Sequence, residues 1–141
     1  MSVRVPVAAL IGLVVVLGLV TGIESVGDVM YPTPADLDLT DSEQLRRYVE
    51  TLPLGAFLVI LTAWVTSTFA GGLVAALVAR TYPYVVAGFI GLVVFVASAS
   101  HLSSIPHPIW FARAALIAVP LAAWAAGALA AGIARGRVSR G

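Results

Sequence analysis

The sequence predicts an all-α protein: a four-helix transmembrane bundle with both termini cytoplasmic and a short amphipathic helix in its first outer loop. Three observations carry this expectation. Apolar residues make up 60% of the 141-residue chain and charged residues 11%, with mean hydropathy +1.02; a water-soluble domain carries about 25% charged residues. The apolar residues fall into four runs long enough for a bilayer core. The basic residues, all arginine, sit at alternate ends of those runs, while the acids gather in one segment.

The first run, Val5 to Ile23, follows Arg4 and ends at Glu24. It is longer than the apolar stretch of a signal peptide, and no small-x-small cleavage site precedes Glu24, so it reads as a retained span. Gly18 and Gly22 form a GxxxG, a close-packing pattern for membrane helices.

Between Glu24 and Thr51 lie all seven acids of the chain, opposed only by Arg46 and Arg47. Tyr31-Pro32-Thr33-Pro34 interrupts any helix, because proline lacks the N–H and biases its predecessor to extended backbone. Thr40-Asp41-Ser42-Glu43 matches a capping box with Thr40 as the N-cap. Leu45, Tyr48, Val49 and Leu52 follow at helical spacing, predicting a short amphipathic helix from Asp41 to Glu50. The acidic segment lacks the spacing of a calcium loop and reads as solvated.

The second run, Leu52 to Arg80, is the longest; as a helix it measures about 43 Å against a hydrocarbon core of about 30 Å. Ala63, Ser67, Gly71, Ala75 and Ala79 place a small residue at every fourth position, an unbroken seam that allows close helix approach. Thr62, Thr66, Ser67 and Thr68 read as hydroxyls bonded to backbone or across helices. Thr81-Tyr82-Pro83 is a tight connection to the third run, which extends to His101. The fourth helix is expected from Pro108 to Ala134, kinked at Pro120, with Trp110 as an interface anchor. Ala122, Ala126 and Ala130, beside Ala123, Gly127 and Ala131, give it a slim face. The expected spans are therefore 5–24, 52–80, 83–101 and 108–134, within one integral membrane domain.

Orientation follows from charge. Four crossings put Arg4, Arg80, Arg135, Arg137 and Arg140 on one side and the acidic loop on the other, so the positive-inside rule puts both termini in the cytoplasm. The Arg-only, Ala- and Gly-rich composition fits a GC-rich bacterial genome, and the expected location is the inner membrane.

Helical depth singles out one polar level. Arg4 to Glu24 spans about 30 Å of helix, Arg80 to His101 about 32 Å and Arg135 back to Arg113 about 33 Å. Glu24, His101 and Arg113 thus approach one outer boundary, with Asp28 a turn beyond Glu24 and His107 before the fourth helix. Anions are disfavoured at a helix C-terminus, so Arg113 is the expected partner of Glu24.

The chain has no cysteine and hence no disulfide or thiolate chemistry. No metal site is expected, since no HExxH or similar spacing occurs; no GxSxG marks a serine nucleophile, and no cofactor motif is present. No basic, aromatic-bearing face points to nucleic acid. The primary expectation is a non-enzymatic packing or accessory component whose partners are the lipid bilayer and a second copy or larger membrane complex. One alternative is a small-solute or ion transporter using the polar cluster, since ionisable groups near a membrane mark ion routes. An acid in the first of four helices resembles, in plan, the small multidrug-resistance transporters; in that family the acid lies deep in the membrane, whereas Glu24 stands at the edge and no stretch matches motif for motif. A second alternative is a metal-dependent membrane enzyme using the two histidines and two carboxylates.

Overall fold

The computed structural model describes residues 3–139. It comprises five helices: α1 (Arg4–Met30), α2 (Ser42–Thr51), α3 (Leu54–Ala79), α4 (Pro83–Ser104) and α5 (Ile109–Val138). The four helices other than α2 are long and apolar enough to cross a membrane. Arg140 lies outside the described residues.

The spans alternate in direction. Gly12 of α1 meets Gly71 and Ala75 of α3, while Gly27 meets Val59; Gly72 of α3 meets Ala87 of α4, and Gly127 of α5 meets Tyr84. Arg4, Arg80, Arg135 and Arg137 therefore share one end of the bundle. Arg80 and Arg137 line a common pocket there.

α3 is the hub, in contact with α1, α4 and α5; α4 also packs on α5, and α1 touches α4 only lightly. α3 is apolar on every side, so polarity cannot decide which face is buried; side-chain size does. Its buried positions form two adjacent rows. One holds Ala63, Ser67, Gly71, Ala75 and Ala79, the seam expected from the sequence; the other holds Trp64, Thr68, Gly72 and Ala76. The first row receives α1: a Cβ added to Gly12 would stand 2.7 Å from the Gly71 carbonyl oxygen and 2.7 Å from the Ala75 Cβ. Along the second row, a Cβ on Gly72 would meet the Ala126 Cβ at 3.3 Å and the Ala87 Cβ at 3.5 Å. On α5 the slim face is buried at Ala122, Ala123, Ala126, Gly127 and Ala130. Phe57, Trp64, Ile90 and Phe111 are the large side chains buried between the helices, while Leu58, Phe89, Leu92, Ile117, Leu121 and Trp124 are exposed, as lipid-facing residues are.

The buried hydroxyls of α3 are satisfied within the helix. Ser67 Oγ donates to the Trp64 carbonyl at 3.1 Å and Thr68 Oγ1 to the same oxygen at 2.6 Å. Thr62 and Thr66 are exposed.

Several local features differ from expectation. α1 continues past Glu24 to Met30, because nothing in Ser25 to Met30 breaks a helix before Tyr31-Pro32. Gly18 and Gly22 are not the close-packing residues of the bundle. Both are exposed, with nothing within 4 Å of an added Cβ, because α1 turns Ala8, Gly12 and Val16 toward α3. α2 is capped by Asp41 rather than Thr40: Asp41 Oδ1 accepts from the amides of Glu43 at 2.9 Å and Gln44 at 3.2 Å. The Thr40 hydroxyl is taken by Asp38 Oδ1 at 2.7 Å, a charged and hence stronger acceptor. Arg80 (φ 58°) and Tyr82 (φ 46°) adopt left-handed backbone at the α3–α4 turn, which lets two antiparallel helices join through so short a link.

Gly12→Val and Gly71→Val are each expected to cost about 1–3 kcal/mol by overpacking, whereas Gly18→Val and Gly22→Val are expected to stay within about 0.5 kcal/mol. Denaturant unfolding in a mild detergent separates the two pairs.

Candidate functional site

The end of the bundle opposite the arginines is built differently. α1 and α3 remain in contact here at Gly27 and Val59, and the side chains of Tyr31, Leu45, Tyr48, Val49 and Leu52 border a cleft beside them. Tyr31 caps the end of α1 through its amide, which donates to the Gly27 carbonyl at 2.8 Å. Its ring reaches the first turn of α3, where its hydroxyl occupies the space a Gly55 side chain would need. α2 then crosses with Val49 buried, Leu45 and Tyr48 half-buried, and Glu43, Arg46, Arg47 and Glu50 exposed. Among the described residues its backbone makes no close approach to any other helix; only its side chains reach the bundle.

Beside α2 lies an open cleft of 290 Å³. Glu24, Asp28, Tyr31, Tyr48, His101 and His107 supply its polar lining, with Ala56, Val59, Ile60 and Ile105 as apolar walls. Glu24 and Asp28 are one helical turn apart on α1 and share a face. Glu24 is half-buried and Asp28 is exposed.

The two histidines belong to an aromatic shell. The His101 ring meets Trp64 edge-on, centroids 5.5 Å apart. His107 stacks on Phe111 at 5.1 Å with an interplanar angle of 20°, and the two imidazoles are 5.3 Å apart. Phe57 lies edge-on to His107 at 6.3 Å and to Trp110 at 5.9 Å. His107 Nδ1 stands 2.7 Å from the Ile105 carbonyl oxygen. A carbonyl only accepts, so Nδ1 carries the proton, and in the neutral ring Nε2 is left as an acceptor. Burial holds the His107 imidazole below its ordinary value of 6.5, and the nearby His101 acts in the same direction.

Four of the five expected cluster residues, Glu24, Asp28, His101 and His107, thus line one cavity. Arg113 does not join them. It is exposed on α5, and α1 and α5 share no contact, so the expected Glu24–Arg113 pair is not formed. Equal depth on two helices does not make them neighbours: α3 stands between α1 and α5. The aromatic partners Trp64, Phe57 and Phe111, together with Tyr31 and Tyr48, were not foreseen; the i, i+7 spacing of Phe57 and Trp64 was their only trace in the sequence.

The loop cations are engaged within α2. Arg46 reaches Glu43 at 2.8 Å and Glu50 at 2.8 Å, and Arg47 reaches Glu43 at 3.1 Å. These arginines hold the Glu43 carboxyl below its ordinary range, and the Thr40 hydroxyl and amide do the same for Asp38. Among the described residues no three His, Asp or Glu side chains gather closely enough to hold a metal.

Compared with models of known families, with curated proteins and with solved structures, the chain matches none of them.

Two outcomes follow from this geometry. Asp41→Ala is expected to cost about 1 kcal/mol of helix stability and to speed amide exchange at Glu43 and Gln44, while Thr40→Ala leaves those amides protected. His107 titrates lower in the folded chain than in the unfolded one, so its contribution to stability is complete above pH 6.5 and declines as pH falls through that value. The melting temperature is expected to drop between about pH 8 and about pH 5.5, with a shallower drop in His107→Phe. Equal drops in both proteins contradict the assignment.

Proposed function

We propose that the chain is a small polytopic inner-membrane protein, with both termini in the cytoplasm, that serves as a non-enzymatic packing or accessory component of a membrane assembly. The observation that carries this reading is the closed midsection of the bundle. From the cavity floor to the arginine end, the four spans carry no Asp, Glu, Arg, Lys or His among the described residues. The buried positions there are small or apolar, apart from Ser67 and Thr68, both bonded to their own helix, and Ser98. A transporter needs a polar route through that section, and Gly12, Gly71, Gly72 and Gly91 fill it with backbone at van der Waals distance.

The orientation rests on the arginines gathered at one end and the acids at the other. A partner in the bilayer is supported by α1, which is the least buried of the spans and presents Gly18 and Gly22 outward with open space beside them. In lipid, such a face favours close helix approach; a second copy or a larger complex would occupy it.

Two measurements test the reading. A reporter fused after Gly141 is expected to be cytoplasmic; a periplasmic reporter removes the orientation. Extraction in mild detergent is expected to yield the chain in a complex larger than one copy, reduced to a monomer by Gly18→Leu with Gly22→Leu. A wild-type chain that is monomeric in every mild detergent contradicts the accessory role.

A further inference from the structure

The cavity beside α2 raises a question that an assembly role leaves open. It is an open cleft of 290 Å³, continuous in its lining with a cleft of 590 Å³ that Val49, Leu52 and His107 also border. The size is at the lower end of the range for small-molecule sites.

Its lining has a one-sided chemistry. Glu24 and Asp28 are carboxylates, acceptors when ionised. Both stand in the last turns of α1, where the helix carbonyl end adds further negative potential. His107 has its Nδ1–H committed to the Ile105 carbonyl, leaving its other nitrogen as an acceptor in the neutral ring. No Arg or Lys is among the lining residues; Arg46, which borders the adjoining cleft with Val49 and His107, is held by Glu43 and Glu50, and Arg47 by Glu43. Tyr31, Tyr48 and the two imidazoles add ring faces, and Val59, Ile60, Ala56 and Ile105 add an apolar floor. Acceptors without a counter-charge, flanked by aromatic rings and backed by hydrocarbon, match a positively charged donor with a short apolar body.

We propose that this cavity is a binding site for a small organic ammonium ion, held at Glu24 and Asp28, with its apolar part against Val59, Ile60 and the rings of Tyr31 and Tyr48. α2 flanks the entrance. Its backbone makes no close approach to the spans among the described residues, and it is joined to α1 and α3 by the proline-bearing links at 31–41 and 52–53. The site stands apart from the accessory role: complex formation through α1 neither requires it nor is required by it.

The test uses the full chain in a neutral maltoside detergent, with benzylammonium as probe and benzyl alcohol as its uncharged counterpart. Calorimetry is expected to show saturable binding of one benzylammonium per chain, weakened by salt, and none of benzyl alcohol. Glu24→Gln and Asp28→Asn should each lower affinity about tenfold or more, while Arg113→Gln leaves it unchanged. Asp28 is exposed, so its substitution keeps the test open even where Glu24→Gln impairs folding. Benzyl alcohol binding as tightly as benzylammonium overturns the proposal, since an apolar hollow alone then accounts for it. So does benzylammonium binding that both carboxylate variants retain, or the absence of saturable binding to wild-type chain with native helix content.

Discussion

The close approach of α1 to α3 at Gly12 and Gly71 is the contact on which the arrangement of this protein depends. Each glycine stands against the other's carbonyl oxygen, so that a single added carbon on either would have to displace backbone. In water such helices would be driven together by their apolar faces. In lipid that drive is missing, because the acyl chains are as apolar as leucine, and association rests on how closely surfaces fit. The sorting of α3 follows from this. Ala63, Ser67, Gly71, Ala75 and Ala79 go inward while Leu54 and Leu58 face out, an order that hydrophobicity alone would not select.

The same contact shapes the polar end. α1 and α3 touch at Gly12 and Gly71, and again at Gly27 and Val59. Beyond the small-residue seam the facing side chains grow larger, with Phe57 and Trp64 on α3 and Phe111 on α5 all buried. These rings hold the two histidines and leave the cleft beside α2 open. A closed middle and an open, acidic end are thus two results of one gradient in side-chain size along α3. The carboxylates sit where water and the loop can reach them, which avoids the cost of an ion in the hydrocarbon.

Most of this architecture is legible in the residues. Four apolar runs gave four spans, and the five small residues from Ala63 to Ala79 form a buried seam. Those features depend on composition and on a four-residue period, both local. What depended on helix neighbours was not legible. Depth along each span brought Glu24, His101 and Arg113 to one level, but only packing reveals that α3 separates α1 from α5. A GxxxG pattern singled out Gly18 and Gly22, while the closely packed glycine of α1 is Gly12, which has no glycine four residues away in sequence and meets Gly71 only in space. The shift of the α2 cap from Thr40 to Asp41 had a similar origin: Asp38 takes the Thr40 hydroxyl and Asp41 takes the amides of Glu43 and Gln44, and the box pattern ranks neither.

The account stands on α1 lying along α3 from the glycine contact to the cavity wall. The chain has no cysteine of its own, so a cross-link can test this directly. A Cβ on Gly27 would lie 3.7 Å from the Val59 Cβ, within the range of a disulfide. Gly27→Cys with Val59→Cys is expected to form an intramolecular bridge on mild oxidation in native membranes, while Gly18→Cys with Leu121→Cys, on α1 and α5, does not. Absence of the first bridge, or formation of the second within one chain, would contradict the packing from which the cavity, the closed midsection and the exposed face of α1 all follow.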